Sequence, residues 1–203
     1  MLNRYARALF TRLMTPLAAA LLRLGIGPDT VTVVGTLGVA AGALVFYPRG
    51  ELFIGTLVIT AFVLGDSLDG TMARLRGRAS TWGAFLDSTL DRLADAAVFG
   101  ALVLWYFGGG DSDLTAGLAL ACLVLGALVS YARARAEGLG MTANVGIAER
   151  AERLVAVLVA TGLVGLGLPD VLLTVVLAVL AVASAVTVVQ RMVVVRRQAL
   201  DAA

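Results

Sequence analysis

The sequence predicts an all-α integral membrane protein, with six transmembrane helices preceded by an N-terminal amphipathic interfacial helix, in a single membrane domain over residues 1–203. Three observations carry this reading. The chain has 203 residues, 60% of them hydrophobic, and a mean hydropathy of +0.94, too apolar for a soluble domain of that length. Its apolar residues come in continuous runs, which favours helices over barrel strands, because a backbone in lipid must satisfy its own hydrogen bonds. Its basic residues occupy every second connection between the runs, the bias expected of a multi-pass protein.

Residues 2–17 come first. At 100° per residue Leu2, Ala6, Leu9, Leu13 and Leu17 share one face, while Asn3, Arg4, Arg7 and Thr11 share another. That pattern lays a helix in the membrane interface with its basic face toward water. A secretory signal is the rival, but Arg12 and Arg23 interrupt the apolar region it would need. The spans follow at about Thr30–Tyr47, Leu52–Arg74, Gly83–Phe107, Leu114–Arg133, Ala148–Leu168 and Val171–Val195. A hydrocarbon core of roughly 30 Å takes about 20 helical residues.

Turn residues close one set of connections: Pro48-Arg49-Gly50, Gly108-Gly109-Gly110-Asp111 and Gly167-Leu168-Pro169-Asp170. The other set is basic, with Arg4, Arg7, Arg12 and Arg23, then Arg74, Arg76 and Arg78, then Arg133, Arg135, Arg150 and Arg153, and last Arg191, Arg196 and Arg197. Both termini are therefore expected on the cytoplasmic side of the cell membrane. Scattered glycines and alanines read as close-packing positions between membrane helices.

Composition also bounds the chemistry. All 16 basic residues are arginine and there is no histidine, so imidazole catalysis is excluded and a metal site must use oxygen ligands. The single cysteine, Cys122, rules out an internal disulfide and reads as packing within an apolar run. No nucleic-acid partner is expected.

The anomaly lies in GDSLDGTMARLRGRASTWGAFLDSTLDRLADAAVFG. Carboxylates at the edge of a spanning helix are costly and ask for a function. Asp66 and Asp69 are three apart, and Asp87 and Asp91 four apart, so each pair shares a helical face. A short basic linker joins the two helices, which should bring the pairs to similar depth on the cytoplasmic side. Four carboxylates without His or Cys suit Mg²⁺, Mn²⁺ or Ca²⁺, and two such ions are the standard clamp for phosphoryl-type displacement. The plainer alternative is separate salt bridges, with Arg92 or Arg74 as partners, and Asp95 fits that role better than the others. Gly70 would let a substrate approach the helix backbone, and Arg74, one turn on, offers a fork for phosphate oxygens.

The string Asp66-x-x-Asp69-Gly70-x-x-Ala73-Arg74, eight residues, Gly83, three residues, Asp87, three residues, Asp91 resembles the complete signature of the CDP-alcohol phosphotransferases, and the resemblance extends over nearly the whole chain. It implies that Asp66, Asp69, Asp87 and Asp91 bind two Mg²⁺ ions, with Mn²⁺ as an alternative, and that Asp91 is also the general base. It implies CDP-lipid contacts from Gly70, Arg74 and Ser80, and from Asp29, Thr30, Val31 and Thr32 at the start of the first span. There Asp29 or Thr30 as a helix N-cap is the bland reading, and both can hold. It also implies a homodimer.

Three further stretches, GIGPDTVTVVGTLG, SYARARAEGLG and GIAERAERL, resemble those of actinobacterial phosphatidylinositol phosphate synthases. That implies CDP-diacylglycerol as donor, inositol phosphate as acceptor, and Arg135, Arg153 and Arg191 as candidates for the acceptor phosphate. Arg133, Arg150 and Arg196 are the substitutes if other faces are used. Glycerol 3-phosphate is the rival acceptor. A divalent-cation transporter is the rival of another class, disfavoured because the carboxylates lie at one membrane edge beside a basic linker. A purely structural scaffold would leave the carboxylates unexplained.

Overall fold

The structure is a computed structural model in which residues 15–75 and 80–201 are described, residues 66, 67, 69, 73 and 74 through their backbone alone. Every regular element among them is helical. They are α1 (helical over 15–23), α2 (Pro28–Phe46), a 3₁₀ turn (Tyr47–Arg49), α3 (Leu52–Leu75), α4 (Thr81–Phe107), α5 (Asp113–Glu137), α6 (Arg150–Gly165) and α7 (Val171–Asp201). The expected amphipathic helix at 2–17 lies mostly outside the described residues.

Local chemistry sets the boundaries. Pro28 opens α2, where its missing N–H costs nothing. The helix thus starts ahead of Asp29 and Thr30, so neither is its cap. Gly50 ends the 3₁₀ turn at φ 78°, a left-handed conformation suited to glycine. Ser80 caps α4, its Oγ accepting from Gly83 N–H at 2.8 Å, and Ser112 caps α5 by accepting from Thr115 N–H at 3.3 Å.

Among the described residues four stretches are long and apolar enough to cross a membrane: Pro28–Arg49, Leu52–Met72, Asp113–Glu137 and Val171–Asp201. The other two expected spans differ for separate reasons. α4 is 27 residues long but carries Asp87, Asp91, Arg92 and Asp95. α6 has 16 residues, shorter than the expected Ala148–Leu168, and rises only about 24 Å.

The chain divides into two compact units. The first holds residues up to Gly42 and Leu57–Ala94. Its core is Ala18, Leu68 and Met72, with Leu21, Leu22 and Val31 packed against it. α2 and α3 approach closely there. A methyl at Gly42 would stand 3.0 Å from the Val58 side chain, and one at Gly38 would collide with the Phe62 ring.

The second unit holds Ala43–Thr56 and Asp95–Ala203. Here α5 presents Ala116, Ala119, Cys122 and Gly126 to its interior, and α7 presents Leu173, Leu177, Leu180 and Ser184. Small residues on one helix let the other come near, and polar side chains bridge the pair. Thr115 and Thr174 hydroxyls meet at 2.7 Å, and the Cys122 thiol donates to Leu177 C=O at 3.2 Å. The amino end of α3 packs backbone to backbone with α6, since a methyl at Gly165 would fall on the Phe53 amide. Tyr47 O–H and Thr56 O–H pair at 2.9 Å in the interior. Trp105 fills the space between two connections: methyls at Gly50 and Gly109 would each lie 2.6 Å from its indole, and one at Gly110 2.8 Å away.

Candidate active site

Five of the signature positions fall on helical backbone of α3 and three on α4, all within the first unit. Asp66, Asp69 and Arg74 belong to α3, and their side chains lie outside the described residues. Asp87 is exposed, and the Asp91 side chain is 19% exposed with Oδ2 3.8 Å from Arg92 Nη1. Among the described residues no three acidic or thiol side chains close on one point. The signature's donor set is entirely carboxylate, which fits hard divalent cations.

The start of α2 meets the start of α4. A Cβ added at Gly83 would lie 2.9 Å from Ser80 Oγ and 3.7 Å from Asp29 Oδ1. The Asp29 carboxylate, the Ser80 hydroxyl and the bare Gly83 backbone therefore adjoin one another. A Cβ at Gly70 would meet nothing within 4 Å among the described residues. Thr30 and Val31 line an apolar cavity of about 300 Å³ with Leu21, Ile26, Val34, Gly35, Ala61, Phe62, Gly65 and Leu68. Thr32 is buried, its Oγ1 donating to Pro28 C=O at 3.1 Å, which makes it part of the α2 helix start.

The three candidate acceptor arginines lie in the second unit and differ sharply. Arg135 is exposed in the last turn of α5. Arg191 is 3% exposed; its Nε donates to Val145 C=O at 2.9 Å and its Nη1 to Val129 C=O at 2.6 Å. Arg153 is 1% exposed, with Nη1 donating to Ala148 C=O at 3.0 Å and Nη2 3.7 Å from Asp95 Oδ2. Arg135 and Arg191 line one cavity of about 270 Å³ between α5 and α7. Of the substitutes, Arg133 pairs with Glu137 at 2.9 Å and Arg150 with Asp95 at 3.1 Å.

Sequence reasoning expected Asp95 to form a salt bridge but named Arg92 or Arg74 as its partner. Among the described residues Asp95 meets Arg150 and Arg153 at the start of α6, while the Arg74 side chain lies outside them. It passed over Thr187 and Gln198 altogether. Thr187 accepts from Ile147 N–H and Ala148 N–H, both at 3.2 Å, and Gln198 bonds the Thr142 backbone through both amide atoms. The available signal was a polar stripe, Thr187, Arg191 and Gln198, on an otherwise valine-rich helix.

A helical chain with stretches apolar enough to span a membrane and a carboxylate signature on two successive helices fits a membrane transferase, and residues 26–189 match the CDP-alcohol phosphatidyltransferase family. The chain belongs to that family. It is 58% identical to the phosphatidylinositol phosphate synthase of Streptomyces avermitilis over all of this chain and 85% of that one, and 50% identical to the enzyme of that name from Cutibacterium acnes, over 94% and 96%. Among solved structures, the Mycobacterium tuberculosis phosphatidylinositol phosphate synthase PgsA1 with CDP-DAG bound superposes with a TM-score of 0.87 at 44% identity, covering 91% of this chain and 94% of that one. The same enzyme in complex with manganese and citrate gives 0.85 at 43% identity, over 90% and 88%.

Proposed function

We propose that this chain transfers the phosphatidyl group of CDP-diacylglycerol to a hydroxyl of inositol phosphate, giving phosphatidylinositol phosphate and CMP. The observation that carries this is the likeness, over the whole length, to enzymes named for that product. The acceptor oxygen attacks the phosphorus that bears the diacylglycerol. A new P–O bond forms there, and the bond from that phosphorus to the CMP oxygen breaks. The hydroxyl proton passes to the Asp91 carboxylate, which is partly open to solvent.

Asp66, Asp69, Asp87 and Asp91 would hold two divalent ions, Mg²⁺ or Mn²⁺. Bound there, such ions offset charge on the pyrophosphate and make the hydroxyl more acidic. Asp29, Thr32, Gly70 and Ser80 are assigned to the CDP moiety, with Arg74 as a phosphate contact. Thr30 and Val31, on the wall of the apolar cavity, suit the adjoining lipid. Arg135, Arg153 and Arg191 are assigned to the acceptor phosphate. Support for Arg135 is its exposure beside the cavity it shares with Arg191.

The reading includes one domain over residues 1–203, six spans, an interfacial N-terminal helix, cytoplasmic termini and active site, and a homodimer. Cysteines introduced at Arg78 and Gly109 should label from opposite faces of oriented membranes. Crosslinking in native membranes should give a dimer band.

The deciding experiment supplies CDP-diacylglycerol with inositol phosphate, free inositol or glycerol 3-phosphate, with and without Mg²⁺, and identifies the lipid product. Metal-dependent phosphatidylinositol phosphate from the first acceptor alone is expected. Phosphatidylglycerol phosphate as the main product would reassign the acceptor.

A further inference from the structure

We infer that Thr187 is a positioning residue for acceptor binding, acting through a relay that fixes the arginines at the start of α6. The inference rests on the assignment of Arg153 to the acceptor phosphate. α6 begins after an irregular connection, and its N-cap residue, Glu149, makes no side-chain capping bond. The N–H groups of Ile147 and Ala148, just ahead of the helix, are met from α7. Thr187, fully buried, donates to Ala183 C=O at 2.8 Å and accepts from Ile147 N–H and Ala148 N–H at 3.2 Å each. A hydroxyl has one proton to give and two lone pairs, so all its capacity is used.

The same residue it holds then holds the arginine. Ala148 C=O accepts from Arg153 Nη1 at 3.0 Å, and the guanidinium continues to Asp95, whose other oxygen takes Arg150 Nε at 3.1 Å. From the far side the guanidinium is backed by Gly126 of α5, where a methyl would come within 3.0–3.2 Å of it. The connection reaches Thr187 only because Gly146 adopts φ 153° and has no side chain; a methyl there would lie 2.5 Å from Thr187 Cγ2. Thr187 stands in the run Val186-Thr187-Val188-Val189. A valine would fill its place in the bundle equally well, so the hydroxyl is explained by the connection it grips rather than by packing.

The test uses the full-length enzyme with Thr187→Val, Thr187→Ser, Gly146→Ala and Arg153→Gln. KM is measured separately for inositol phosphate and CDP-diacylglycerol, and inositol phosphate binding is followed by calorimetry. Thr187→Val should raise the acceptor KM and Kd about tenfold and leave the CDP-lipid KM within about twofold, and Thr187→Ser should restore both. Gly146→Ala, which disturbs the same grip from the other side, should reproduce the split and decides the matter if Thr187→Val does not insert. Equal shifts in both KM values, an unchanged acceptor KM, or no rescue by serine would overturn the inference. If Arg153→Gln raises the acceptor KM and the Thr187 and Gly146 variants do not, positioning fails alone. If Arg153→Gln leaves it unchanged, the acceptor assignment fails and takes the inference with it.

Discussion

Two stretches of α4, one helical turn apart, carry the same side chain in different surroundings. Asp87 and Asp91 lie in the first unit, Asp87 exposed and the Asp91 side chain 19% exposed with the neighbouring Arg92 at ion-pair distance. Asp95 continues their stripe, but its side chain is 14% exposed and is met by both Arg150 and Arg153. Under the proposed function, Asp87 and Asp91 face an incoming cation. A carboxylate that organises a buried arginine has to surrender its oxygens. Spacing along a helix cannot separate the two roles, because it places all three on one face.

The comparison breaks or sharpens at graded points. The largest expected effect is on turnover: Asp87→Asn should lower kcat by about a thousandfold or more, as loss of several kcal/mol of charge stabilisation would, while thermal stability in detergent holds. Release of CMP and the melting curve check both halves. Appreciable turnover by that variant would place Asp87 with Asp95. Next comes stability. Asp95→Asn leaves the buried Arg153 without its carboxylate and should cost about 3 kcal/mol, read as a lowered melting temperature. Combining it with Arg153→Met should recover part of that loss, since an apolar side chain of similar length needs no partner. Ser80→Ala removes the N-cap of α4 and should cost about 1 kcal/mol, with a raised CDP-lipid KM if the hydroxyl also serves the donor. The smallest effect is expected from Arg92→Gln, because the side chain is 41% exposed and such surface pairs contribute roughly 0.5 kcal/mol. Activity within about twofold of wild type would mark Arg92 as a bystander to Asp91.

Much of the fold was legible because lipid imposes a length on each helix. Pro48 to Gly50, Gly108 to Asp111 and Gly167 to Asp170 mark turns where turns occur. The exceptions have local causes. α6 is shorter than its apolar run at both ends, because Ala148 and Glu149 lie in the irregular connection gripped by Thr187 and Arg191 and Gly167 turns the chain at φ 102° beyond Gly165. At the candidate site, the carboxylates stood out because charge in a spanning helix is rare. The arginines were harder to read. The positive-inside bias places Arg135, Arg153 and Arg191 at the same membrane edge, yet two of them turn inward to carbonyl oxygens 5 to 62 residues away. Nothing in a linear pattern records which arginine a distant connection will receive. Ser80 and Thr32, expected as ligand contacts, cap and brace helix starts, a use of small hydroxyl residues that leaves the same sequence signature.

The indole of Trp105 faces three glycines from two different connections, Gly50 before α3 and Gly109 and Gly110 before α5. Any lineage that enlarges one of the three must first shrink the ring, and any that loses the ring leaves a void bordered by residues with nothing to offer in its place. These four positions should therefore change in concert among relatives, as a heritable block with no tie to the chemistry, and a survey of substitutions would find them correlated with each other while indifferent to which alcohol is accepted.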